Sequence, residues 1–242
     1  MSGIAVIFRR ELKGYFDTPI AYIFIAVLLG LSSFFFFFFT PFFAIGQADM
    51  RGFFGLLPFS FFLFAPAVTM RLWSEELRVG TAEILLTLPL KPYELVVGKF
   101  LASVAVLVVA LMFSAGIPFG IAFMGSPDLG PILGGYLGAF LMGCFFLALG
   151  CFVSSLTPNQ VVALLVGIVI GLAAVLVFSR QTVAYLGVES PGLSRFIQEI
   201  GVLDHFESFM RGIISLGDVI YFVGGTAFFL ILTVAAVQSR RY

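Results

Sequence analysis

The side chains able to do chemistry in this sequence are few and scattered. The single histidine, His205, directly follows Asp204. Neighbours in sequence do not orient one another as an acid–base pair, and no H-E-x-x-H or Cys/His cluster accompanies them. His205 therefore reads as a polar-face residue of an amphipathic helix rather than a metal ligand. Cys144 and Cys151 stand seven apart. On one helix that spacing separates their α-carbons by about 10 Å, too far for a disulfide, which leaves them as small packing residues. Ser32, Ser33, Ser103 and Ser114 lie within apolar runs, where a hydroxyl bonds backbone carbonyls. No G-x-x-x-x-G-K-[ST] phosphate loop occurs: Gly98-Lys99 runs into Phe100 and lacks the earlier glycine. No catalytic, cofactor-binding or metal-ligating residue is expected.

The elements that carry these residues are membrane helices. The chain is 61% hydrophobic and 11% charged, more apolar surface than a soluble domain of this size could hide. Six stretches, 21–43, 53–70, 100–124, 132–156, 160–179 and 219–237, contain no Asp, Glu, Lys, Arg or His. Each approaches or exceeds the roughly 20 apolar residues needed to cross a bilayer. The fold class predicted is an all-α, six-span integral membrane domain over 1–242. Ion-coupled carriers need ionisable groups at membrane depth, so an uncharged core implies that energy arrives from outside the spans. Charge asymmetry orients the chain. Arg9, Arg10, Lys13, Arg71, Arg78, Lys91, Lys99, Arg240 and Arg241 fall on one side, against Arg51, Arg180, Arg195 and Arg211 on the other. Nine against four places both termini and the 71–99 loop in the cytoplasm. No small-residue cleavage site follows the first apolar run, so that run reads as a retained helix.

Residues 3–16 put Ile4, Ile7, Phe8, Leu12, Tyr15 and Phe16 near one helical face with Arg9, Arg10 and Lys13 opposite. This is the pattern of an interfacial helix on anionic headgroups. Thr18 and Pro19 read as the cap and first-turn proline of the next helix. Phe34 to Phe39 point in every direction and suit lipid contact and bulk packing. The spacings Gly116/Gly120, Gly134/Gly138 and Gly167/Gly171 suit close internal helix packing. In 154–159, Pro158 and Asn159 break one helix and start another. The outer segment 180–218 spaces Leu193, Phe196, Ile197, Ile200, Phe206, Phe209, Met210, Ile213 and Ile214 as two short amphipathic helices. Asp204 and Glu207 form a capping-box variant for the second.

The loop 71–99 holds much of the remaining charge. Gly80 interrupts it, Thr81 can cap a new helix, and Glu83 favours that helix's positive end. Ile84, Leu85, Leu86 and Leu88 give it an apolar side. Pro89 stops it, and Pro92 with Glu94 opens the third membrane helix. A short helix between two proline-bounded corners, apolar on one side, fits a surface that meets a soluble partner.

Three segments carry a resemblance: RRELKGYFDTPIAYIF, PAVTMRLWSEELRVGTAEILLTLPLKPYELVVGKFLA and SSLTPNQVVA. Along essentially its whole length the chain resembles the permease subunit of type-2 ABC transporters, most closely the bacterial gliding-motility and nitrous-oxide-reductase-accessory group. The resemblance implies a permease dimer, with a second copy or a paralogue, in the bacterial inner membrane. It implies two copies of an ABC ATPase subunit, with ATP and Mg on that partner and no cofactor in this chain. It makes 80–90 the coupling helix, with Gly80, Thr81, Glu83, Leu85, Leu86 and Pro89 docking on the ATPase. Arg71, Glu75 and Glu76 would lead into it, and Glu94, Gly98 and Lys99 out of it. It likens 3–16 to an interfacial connecting helix and 193–214 to external helices.

The function so implied is ATP-driven transport, of the export kind, of a substrate the sequence does not name. The alternative is a mechanotransmission or docking subunit that uses the partner's movement to act on a periplasmic auxiliary protein. An ion channel is disfavoured, since no span offers a polar pore lining. Membrane lipid surrounds the chain in either reading, and no nucleic acid is expected.

Overall fold

The computed structural model describes residues 3–40, 49–82, 85, 90–123, 125, 128–176 and 199–239. A chain in hydrocarbon must satisfy every backbone polar group internally, which favours helices. Among the described residues the regular structure is ten helices and no strand: α1 (Gly3–Phe16), α2 (Ile20–Phe39), α3 (Arg51–Thr69), α4 (Arg71–Val79), α5 (Pro92–Ser114), α6 (Gly116–Ala122), α7 (Leu129–Leu156), α8 (Gln160–Leu176), α9 (Val202–Met210) and α10 (Leu216–Gln238). Among the described residues five stretches are long and apolar enough to cross a membrane: Ala21–Phe39, Arg51–Val79, Pro92–Ala122, Leu129–Leu156 and Leu216–Gln238. The expected 160–179 span corresponds to α8, an apolar helix that is shorter within the described residues. Residues 41–43 and 177–179, the ends expected for the first and fifth spans, lie outside them.

Helix α7 is the hub and packs against α3, α4, α5, α8, α9 and α10. Its glycines let neighbours in: a Cβ on Gly143 would stand 2.5 Å from Leu107 of α5. Gly134 and Gly138 receive α9, with Phe209 resting on Gly138, and Gly167 and Gly171 of α8 receive Pro66 and Phe62 of α3. These four glycines perform the internal packing their spacing suggests. Gly116 and Gly120 do not, because no described residue would meet a Cβ at either. Of the six phenylalanines, Phe36 is buried against Phe53, whereas Phe34, Phe37, Phe38 and Phe39 are exposed.

The contacts also define two ends. At one, α1 lies against the start of α5 and the α3–α4 junction, and the C-terminal end of α7 meets that junction through Ser154. At the other, α9 sits between the N-terminal part of α7, at Gly134 and Gly138, and the first turn of α10. Several local expectations are corrected here. Thr18 does not start α2. Its hydroxyl donates to Gly14 O at 3.0 Å and Tyr15 O at 3.3 Å, closing α1, while Pro19 precedes α2 without a side-chain cap. Helix α9 begins at Val202 after Gly201, so Asp204 lies in its first turn rather than at the cap. Glu207 instead pairs with Arg211 one turn on. The first of the two expected outer helices falls mostly on 193–198, outside the described residues.

Candidate functional site

The spans as read from sequence stop one residue short of their most consequential side chains. Helix α5 includes Lys99, and α10 includes Asp218; both are buried. The expectation of an uncharged core is corrected at each end of the bundle.

Lys99 is 1% exposed. Its ammonium has three protons and three acceptors: Leu72 O at 2.8 Å, Glu76 Oε1 at 2.9 Å and Glu11 Oε1 at 3.1 Å. It also lies over the Trp73 ring, 5.1 Å from the centroid, a favourable cation–π placement. Arg10 completes the cluster by donating to Glu76 Oε1 at 2.8 Å and Glu11 Oε1 at 3.0 Å. Two cations and two carboxylates from α1, α4 and α5 thus meet in a formally neutral knot. Taking Lys99 and the two carboxylates out of water costs several kcal/mol per ion, and good geometry roughly offsets it, while Arg10 stays half exposed. The gain is specificity, since α1 has one register in which Glu11 reaches Lys99.

The same register recurs in the surrounding contacts. A Cβ on Gly98 would stand 2.8 Å from Ile7, so only glycine lets α1 approach this closely. Tyr15 closes the other end of α1 by donating to Val68 O at 2.7 Å. Burial, with a smaller contribution from Glu11, pushes its phenol well above the ordinary range and keeps it a donor. At the α3–α4 junction Ser154 of α7 replaces the helical ladder. Its hydroxyl accepts from Trp73 N at 3.1 Å and Ser74 N at 3.2 Å and donates to Met70 O at 3.1 Å. A side chain inserted in this way explains the break between two helices that otherwise run on. Gly80, at φ 77°, then ends α4 in the left-handed conformation glycine favours.

The expected coupling residues are placed unequally. Thr81 and Leu85 are helical and Leu85 is buried, while Glu83, Leu86 and Pro89 lie outside the described residues. Glu76 and Lys99 are brought together. Arg71 and Glu75 form a part-exposed pair of their own at 3.0 Å. Glu94 caps α5 by accepting from Lys91 N at 2.9 Å, behind Pro92, as the sequence suggested. Arg10, Glu11, Tyr15 and Ser154 were missed as site residues. A signal existed: Glu11 follows Ile4 and Ile7 at buried-face spacing, Lys99 lies between Leu95 and Ala102, and Glu76 follows Leu72. Each charge occupies an apolar position of its own helix.

At the opposite end His205 Nδ1 meets Asp218 Oδ1 at 2.7 Å and Nε2 meets Glu199 O at 3.1 Å. The ring stacks on Tyr221 with centroids 4.0 Å apart, and the Tyr221 hydroxyl donates to Ile200 O at 2.6 Å. The partner of His205 is therefore Asp218, thirteen residues on, and not Asp204. The serines divide. Ser103 and Ser114 bond backbone carbonyls at 2.7 Å as expected, while Ser32 bonds Ser60 across α2 and α3 at 3.1 Å. Among the described residues no three His, Cys, Asp or Glu side chains converge as a metal site requires.

A multi-helix membrane domain with a charged knot beside its 80–90 connection is the class these features define. The family model described as ABC-2 family transporter protein matches residues 33–238, and the chain belongs to that family. It is thus a multi-pass membrane component of the permease kind, in a family whose members work with an ABC ATPase and generally dimerise. No curated protein matches the chain.

Proposed function

We propose that this chain is the passive half of an ATP-driven transporter, with six crossing helices, both termini in the cytoplasm and residues 80–90 as the element that docks on the ATPase. The observation that carries the reading is the Lys99 knot. Helices α4 and α5 flank 80–90, and Glu76 and Lys99 tie those two helices to each other and to α1. A push on 80–90 then moves three helices as one body instead of bending a loop. The composition of the complex follows the resemblance: two permeases and two ATPases, with outward transport and closest kinship to the gliding-motility and nitrous-oxide-reductase-accessory group. ATP and Mg belong to the partner.

The test is assembly with the cognate ATPase in lipid. Glu83→Lys reverses a charge near the start of the docking helix, and Leu86→Asp puts a carboxylate on its apolar side. Each lowers ATPase association while membrane insertion and thermal unfolding of the permease stay as in the unmodified chain. Arg211→Gln, at the opposite end, leaves association unchanged. Normal assembly and normal ATPase stimulation in both docking variants would overturn the assignment.

A further inference from the structure

Helix α1 carries three cations, and among the described residues only one of them has an ion-pair partner. Arg10 turns inward to Glu11 and Glu76. The side chains of Arg9 and Lys13 are exposed and make no hydrogen bond or ion pair with the described residues. Beneath the same helix runs a cleft of about 600 Å³, walled by Ile4, Ala5 and Phe8 of α1 and by Leu101, Val104 and Val108 of α5. Its size lies within the roughly 300–1,000 Å³ of small-molecule sites. The named walls are wholly apolar, and Leu101 and Val108 remain exposed in the folded chain.

The cleft and the free cations belong to one surface. Ala5, Arg9 and Lys13 follow at four-residue intervals, so they form one row along the rim of the apolar face. Helical side chains lean toward the N-terminus, which inclines Arg9 over Ala5 and the mouth of the cleft. Along α5 the apolar wall extends from Leu101 past Val108, roughly 10 Å at 1.5 Å per residue. That is most of the roughly 15 Å of hydrocarbon in one leaflet.

We infer that this cleft holds one acyl chain of an anionic phospholipid whose headgroup phosphate is bound by Arg9 and Lys13. Charge complementarity selects the occupant. A zwitterionic lipid could fill the apolar walls and offers the same phosphate, but its own ammonium offsets that charge and leaves the two cations without a net counter-charge. Each Lys or Arg near an anionic surface strengthens binding about fivefold. The two together favour an anionic over a zwitterionic headgroup by about 25-fold. The inference needs the chain to sit in a bilayer and is independent of the ATPase partner.

The experiment delipidates the full-length chain in neutral detergent, adds equal amounts of phosphatidylglycerol and phosphatidylcholine, and counts bound lipids by native mass spectrometry. The expected result is one retained phosphatidylglycerol per chain, preferred over phosphatidylcholine by tenfold or more. Arg9→Gln with Lys13→Gln lowers that preference to near parity and, being surface changes, leaves unfolding unaltered. Val108→Trp fills the cleft and removes the retained lipid of either kind. Equal retention of the two lipids by the unmodified chain would overturn the inference, as would an undiminished preference in the Arg9/Lys13 double variant. Should Val108→Trp fail to fold, the double variant alone decides.

Discussion

Replacing Lys99 by methionine tests the knot with little change of side-chain length. The substitution removes one ammonium and leaves Leu72 O, Glu76 Oε1 and Glu11 Oε1 without the donor they share. Breaking a buried ion pair by deleting one partner costs about 3–5 kcal/mol, because the remaining charge stays buried. Arg10 still reaches both carboxylates and, with its side chain 53% exposed, can follow them. That places the loss at the lower end, about 3 kcal/mol, or a fall of about 6–12 °C in melting temperature for a chain this long. The sequence contains a single tryptophan, Trp73, which lies under Lys99. Its fluorescence during thermal unfolding in lipid therefore reports the knot, while far-ultraviolet circular dichroism reports the helices. Adding Glu76→Gln to Lys99→Met removes the orphaned charge and should recover about 1–2 kcal/mol, a coupling of the size expected between touching groups. A Lys99→Met chain that melts within about 2 °C of the unmodified one, or two substitutions that simply add, would refute the energetic role of the knot.

Gly98→Ala should destabilise by about 1–3 kcal/mol, since its methyl group must displace Ile7. Gly14→Ala, in open space on the same interfacial helix, should be neutral or stabilise by up to about 1 kcal/mol; comparative melting in lipid separates the two. Ser154→Ala strips an acceptor from Trp73 N and Ser74 N and should cost about 1–3 kcal/mol, read as a lower melting temperature with a shifted Trp73 emission. His205→Phe retains the stacking on Tyr221 but leaves Asp218 without its ring partner. Amide hydrogen exchange over 199–212 should rise about 10- to 100-fold, with global melting changed much less.

The sequence was most legible where one physical rule operates alone. Apolar length located the membrane helices, and Pro92 with Glu94 located the start of α5. Helical glycine spacing found the contacts at Gly134, Gly138, Gly167 and Gly171. It misled at Gly116 and Gly120, because spacing does not say whether a partner helix is present. The knot was harder to see because its members are 88 and 23 residues apart, Lys99 to Glu11 and Lys99 to Glu76. Span boundaries drawn where charge begins place Lys99 just outside the membrane helix, although its helical position is on the buried stripe. Asp218 was lost at the next boundary for the same reason. In each case hydropathy classified a residue that periodicity would have put in the core.

The central claim, that the chain is the membrane subunit of an ATP-driven complex, is tested most directly by affinity purification from its native membrane, followed by mass spectrometry and an ATPase assay in lipid. The account predicts an ATP-binding cassette protein in equal amount, with ATPase activity that disappears when residues 83 and 86 are substituted. A chain that purifies without any nucleotide-binding partner and without ATPase activity would contradict it.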